Sequence, residues 1–125
     1  MEKSTLCICS RSEAGIRMGN EDACGVQRYD HPHGTVALLA VADGLGGHPA
    51  GEVASALAVQ TLMEVTGEQL PRLQYLGVGP MKQLMEAAFM AANEAVIATG
   101  EREEGCHGLG TTLVAALISS AEECI

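Results

Sequence analysis

Val41-Ala42-Asp43-Gly44-Leu45-Gly46-Gly47-His48-Pro49-Ala50-Gly51-Glu52 is the stretch on which the reading of this chain turns. Residues 35–42 lead into it as a continuous apolar run rich in valine and leucine, the pattern of a strand buried on both faces. Asp43 therefore stands at the exit of a rigid strand, where its carboxylate faces whatever lies beyond the sheet edge. Gly44 lets the backbone approach closely, so its carbonyl can serve as a ligand beside the carboxylate. A hard divalent cation wants such oxygens. The same residues also read as an Asp-Gly turn between strand and helix, or as a glycine loop at a helix N-terminus that takes an anion.

Downstream, Pro49 suits the first turn of a helix. Ala54, Leu57, Ala58, Leu62 and Val65 then recur at helical spacing as far as Gly67, a natural stop. Residues 67–80 read as a loop. A second helix spans residues 81–99 with Leu84, Ala88, Ala92, Ala95 and Val96 on its apolar face, closed by Gly100. Met63, Met81, Met85 and Met90 are read as helix-packing residues. Residues 101–108 form a charged loop and residues 110–119 a last apolar strand. Upstream, residues 5–10 and 23–29 are strand candidates, separated by a polar loop. The order strand, strand, strand, helix, helix, strand groups its elements, which favours layered α+β over a doubly wound sheet. Residues 122–125 look like the approach to a further strand.

The 125 residues suit one domain, and 47% apolar content suffices for a core. A net charge of −9 and the absence of a basic stripe exclude a nucleic-acid partner. Tyr29, Tyr75 and Phe89 are the whole aromatic complement, too few for a base-stacking platform. The longest apolar run, residues 36–42, is too short for a membrane span. Cys7, Cys9, Cys24, Cys106 and Cys124 match no zinc spacing. They read as reduced structural thiols of a cytoplasmic protein, with Cys7 and Cys9 on one face of the first strand.

Two further strings carry weight. Arg17-Met18-Gly19-Asn20-Glu21-Asp22 combines a guanidinium able to grip a phosphate with an adjacent acidic pair. Gly108-Leu109-Gly110-Thr111-Thr112 leads into the last strand and has no chemistry of its own. In this order and at these separations, the three strings resemble the metal-dependent protein phosphatases of the protein phosphatase 2C type, most nearly the bacterial serine/threonine enzymes. The resemblance runs from about residue 12 to 117.

That resemblance implies an α+β fold, a four-layer αββα sandwich of two antiparallel β-sheets flanked by helices. Residues 1–125 would form its N-terminal half, because the family's core is roughly twice this long. It implies two divalent ions, Mn2+ or Mg2+, bridged by a water that attacks phosphorus directly. Residue by residue, Asp43 would bridge both metals, Gly44 would offer its carbonyl, Glu21 would serve one metal, and Asp22 would support the site from just outside. Arg17 would hold the substrate phosphate, and His48 is a candidate general acid. The implied substrates are phosphorylated proteins made by a serine/threonine kinase. Two further family aspartates and a Gly-Asp-Ser-Arg turn do not follow Thr112, so the metal shell is expected to be partial and the chain alone inactive. Two other readings stand beside this one. The first is a non-catalytic, phosphatase-like module that binds partners or itself through an open sheet edge. The second is a nucleotide-binding loop, disfavoured because no Lys-Ser/Thr pair follows the glycines.

Overall fold

The computed structural model describes residues 7–13, 15, 20–45, 50–102 and 108–120. Strand β1 (Asp22–His31) and strand β2 (Gly34–Leu45) form an antiparallel hairpin in which Asp22 faces Asp43 and His31 faces Gly34. Two residues make the turn, and Gly34 exits it at φ 153°, a region that favours glycine. The buried His31 ring ties the hairpin to the next layer. Its Nδ1 accepts the His33 amide at 3.1 Å, which leaves Nε2 to donate to the Leu73 carbonyl at 2.7 Å.

The hairpin is followed by helix α1 (Ala50–Gln69), a short 3-10 turn (Leu70–Arg72) and helix α2 (Val78–Arg102). Strands β3 (Gly110–Thr111) and β4 (Val114–Ser119) then pair one after the other with β2, on the side away from β1. Their pairings share one register, so residues 110–119 run along β2 as one line with a gap in pairing at 112–113. The central strand is thus β2, flanked on both sides by antiparallel neighbours.

Both helices cover one face of this sheet. Val36, Leu38, Ala40 and Ala42 of β2 pack with Val59 and Leu62 of α1 and with Met81, Leu84, Met85 and Ala88 of α2. A second cluster, Ala54, Ala58, Ala92 and Val96, joins the two helices directly, and its small side chains let them approach closely. Gly25 lets β1 lie against α1: a Cβ there would sit 2.6 Å from both the Met63 sulfur and a Val59 methyl. Among the described residues no helix is long and apolar enough to cross a membrane.

Several expectations are corrected. Residues 7–10 form no strand, and Cys7 and Cys9 are exposed free thiols, as is Cys24. The element order is strand, strand, helix, helix, strand, strand. Gly67 does not stop α1. It makes room for the Tyr29 ring, which a Cβ there would approach to 3.2 Å, and the helix ends beyond it, where Pro71 enters the 3-10 turn. Likewise α2 starts before Pro80, which falls harmlessly in the first turn, and passes Gly100 to end where Arg102 donates to the Ala98 carbonyl at 3.2 Å. Met90 faces outward at 65% exposure, so it is not a packing residue. The expected burial of β2 on both faces holds only for its first half: on the side away from the helices Ala37 is 1% exposed, but Val41 is 57% exposed and Asp43 and Leu45 are exposed as well. The expected strand approach at 122–125 lies outside the described residues.

Where β2 ends, it meets the start of α1 backbone to backbone. A Cβ on Gly44 would collide with the Gly51 carbonyl and come within 2.8 Å of the Glu21 carbonyl oxygen. Gly44→Ala is therefore expected to destabilise the chain by about 3 kcal/mol, the upper range for forced overpacking, measured by urea unfolding. A second prediction concerns Tyr29, whose hydroxyl donates to the Met63 carbonyl at 2.8 Å. Burial raises its pKa from 10.0 to about 12. The folded chain thus keeps the phenol proton after the unfolded chain has lost it, and stability falls as pH rises from 10 to about 12. Tyr29→Phe should remove that part of the alkaline loss, and at neutral pH it should cost about 1 kcal/mol for the missing hydrogen bond.

Candidate metal centre

The carboxylates of interest are placed by backbone contacts around the end of β2. The Glu21 carbonyl is the central acceptor. It takes the Gly44 amide at 3.2 Å and the Ser55 hydroxyl at 2.6 Å. Ser55 is 1% exposed, and its oxygen also lies 3.2 Å from the Glu52 carbonyl in the first turn of α1. One hydroxyl thus fastens the entry of β1 to α1, while the Gly44 amide fastens it to β2.

Adjacent residues of an extended chain point to opposite faces. Glu21 is accordingly half-buried on the helix side: its Oε2 lies 3.1 Å from where a Cβ on Gly51 would be. The first turn of a helix is a favourable place for a carboxylate. Asp22 is opposite Asp43 and shares its face, the one that α1 and α2 leave uncovered. The Asp22 amide donates to Asn20 Oδ1 at 3.0 Å, and Asn20 Nδ2 donates to Ser12 Oγ at 2.8 Å, which shapes the approach to β1.

Asp43 is held from its other side by Thr111 and Thr112. The Thr112 amide and the Thr111 hydroxyl reach the Asp43 carbonyl at 2.9 and 3.1 Å. The Asp43 amide donates to Thr112 Oγ1 at 3.0 Å. Asp43 itself is exposed.

The donors brought to this end of the sheet are all oxygens: the carboxylates of Glu21, Asp22 and Asp43, with the Gly44 peptide beside them. Their chemistry fits a hard divalent cation. Their number does not complete a shell of about six oxygens, and no group of three or more His, Cys, Asp or Glu side chains converges among the described residues. Glu21, Asp22 and Asp43 therefore do not make a three-ligand cluster, because Glu21 and Asp22 lie on opposite faces. Arg17 and His48 lie outside the described residues.

Sequence reading missed Ser55, Thr111 and Thr112. Ser55 carried a signal: a hydroxyl on a helix's buried face needs a partner. The two threonines carried none, since only strand register sets them against Asp43.

Residues 11–125 match the family described as protein phosphatase 2C. The serine/threonine protein phosphatase PstP of Mycobacterium tuberculosis is 35% identical over 122 residues, covering 95% of this chain and 21% of that protein. The serine/threonine phosphatase stp of Listeria monocytogenes is 33% identical over 115 residues, covering 90% of this chain and 42% of that protein. The chain thus spans between about a fifth and two fifths of these relatives' lengths. The crystal structure of the PstP catalytic domain in complex with two manganese ions superposes with a TM-score of 0.59 at 39% identity, covering 82% of this chain and 38% of that one. The antiparallel sheet and helices described above match the N-terminal portion of that fold, the αββα sandwich. The match of residues 11–125 along the sequence, with the fold likeness over 82% of the chain, places this chain in the protein phosphatase 2C family.

Proposed function

We propose that this chain contributes part of the catalytic centre of a metal-dependent phosphatase acting on phosphoserine and phosphothreonine in proteins. The observation that carries the reading is the placement of Asp43 opposite Asp22 at the end of β2, held by backbone bonds from Glu21 through Gly44 on one side and from Thr112 on the other. Rigid oxygen donors at a strand end are what a hard cation needs. When bound, two such cations acidify a water and offset charge on the phosphoryl oxygens.

In this reading Asp43, the Gly44 carbonyl and Glu21 would hold the metal ions, with Asp43 shared between them, and Asp22 would support the site from just outside. Arg17 grips the substrate phosphate with paired N–H donors. His48 is the candidate that gives a proton to the departing seryl or threonyl oxygen. Mn2+ and Mg2+ both suit the oxygen set. The substrates are phosphoproteins made by a serine/threonine kinase. Free thiols at Cys7, Cys9 and Cys24 suit the reducing cytoplasm, where such a pair of enzymes would work. Since three carboxylates do not converge here, the chain by itself is expected to turn over little substrate.

A non-catalytic reading has its own observation. Leu45, Val41 and Val114 are 56%, 57% and 71% exposed on the uncovered side of the sheet, a surface suited to a protein partner or to a second copy.

Two measurements separate these readings. Manganese-dependent hydrolysis of a phosphothreonine peptide should be at background for this chain, and should appear in a longer chain that adds downstream carboxylates. There Asp43→Asn should lower it by about 100-fold or more, the scale of losing one electrostatic stabiliser of the transition state. No turnover by the longer chain would remove the enzymatic reading. Sedimentation velocity tests the other. Concentration-dependent association that Val114→Asp abolishes would support a binding module, and a monomer at all concentrations would count against self-association.

A further inference from the structure

We propose that Thr112 is a positioning residue for Asp43, acting through the Asp43 peptide and needing its hydroxyl to do so. The proposal deepens the reading of Asp43 as a metal ligand and rests on it.

The shared register of β3 and β4 puts Thr112 directly across from Asp43. In an antiparallel ladder, two residues so placed exchange two backbone hydrogen bonds. Here only one of the two is a backbone bond: the Thr112 amide reaches the Asp43 carbonyl at 2.9 Å. The return bond goes to a side chain, from the Asp43 amide to Thr112 Oγ1 at 3.0 Å. The Thr112 carbonyl takes the Thr111 hydroxyl at 2.8 Å, a contact that competes with the Thr111 bond to Asp43 at 3.1 Å. Pairing lapses at 112–113 between β3 and β4, and the Thr112 hydroxyl spans that lapse.

The consequence is geometric. The direction of a Cα–Cβ bond follows from the positions of the backbone nitrogen and carbonyl carbon of the same residue. Thr112 holds both for Asp43, while the next amide, Gly44, is held by Glu21 from the opposite strand. The Asp43 carboxylate is exposed, so its aim is set by the backbone rather than by surrounding side chains. A threonine suits the task because its branched Cβ leaves few χ1 choices.

Valine has the same shape without the hydroxyl, and Thr112 is exposed, so water can replace the lost partner of the Asp43 amide. Thr112→Val should therefore leave stability almost unchanged, with a melting temperature within about 4 °C of the wild type. Binding of manganese alone to this chain, followed by electron paramagnetic resonance of the free ion, should weaken about tenfold in Thr112→Val and stay within about twofold in Thr112→Ser. Groups that only orient a ligand act on this scale, and a merely structural residue would move the melting temperature instead. Equal affinities of Thr112→Val and wild type, with Asp43→Asn weakened, would overturn the positioning role alone. An Asp43→Asn chain that takes up manganese no worse than the wild type would overturn the metal-site reading itself.

Discussion

Everything at the site end of this molecule depends on the Glu21 carbonyl, one backbone oxygen that joins three elements. It accepts the Gly44 amide from β2 and the Ser55 hydroxyl from α1 while belonging to the entry of β1. A buried carbonyl left without partners would be costly. With two donors it becomes a joint that sets the strand entry, the strand exit and the helix start in one arrangement. The joint closes only because Gly44 and Gly51 lack side chains: a Cβ at Gly44 would meet the Gly51 carbonyl. Glycine at these positions serves close approach rather than flexibility.

From that joint the distribution of carboxylates follows. Glu21 turns toward the first turn of α1, where Glu52 also sits and where the helix dipole favours negative charge. Asp22 and Asp43 turn to the uncovered side of the sheet. Two carboxylates opposed across a strand pair repel each other, and a bound cation would relieve that cost. The strand pair is stiff because its helix-facing side is packed without polar atoms, from Val36 to Ala42. The uncovered side continues from these acids into Val41 and Val114, an apolar surface that adjoins a charged rim.

Much of the layout was legible in sequence because it rests on local periodicity. The apolar faces of both helices came from spacing alone: Ala54, Ala58 and Leu62 in α1, and Leu84, Ala88, Ala92 and Val96 in α2, are all buried. Strand β2 announced itself as an apolar run. The errors fall where a local signal was overridden by a partner distant in sequence. Gly67 looked like a stop, but it is the hollow into which the Tyr29 ring fits. Residues 7–10 had strand composition, but none of the described strands pairs with them. Met90 sits at a helical position whose neighbours gave no hint that it faces outward.

The strings Arg17 to Asp22, Val41 to Glu52 and Gly108 to Thr112, taken together, pointed by themselves to the family, because such a resemblance is a matter of residue identity and spacing along one chain. The sequence also indicated a close backbone approach at Gly44, though the structure carries β2 on through Asp43 and Gly44 to Leu45 where a loop was expected. Only the tertiary structure decided that Asp22 rather than Glu21 shares a face with Asp43, that Ser55 secures the Glu21 carbonyl, and that Thr112 lies opposite Asp43 with its hydroxyl in place of a carbonyl. Those facts depend on strand register and on where a helix docks. A one-residue slip of register exchanges the faces of a strand without changing its composition.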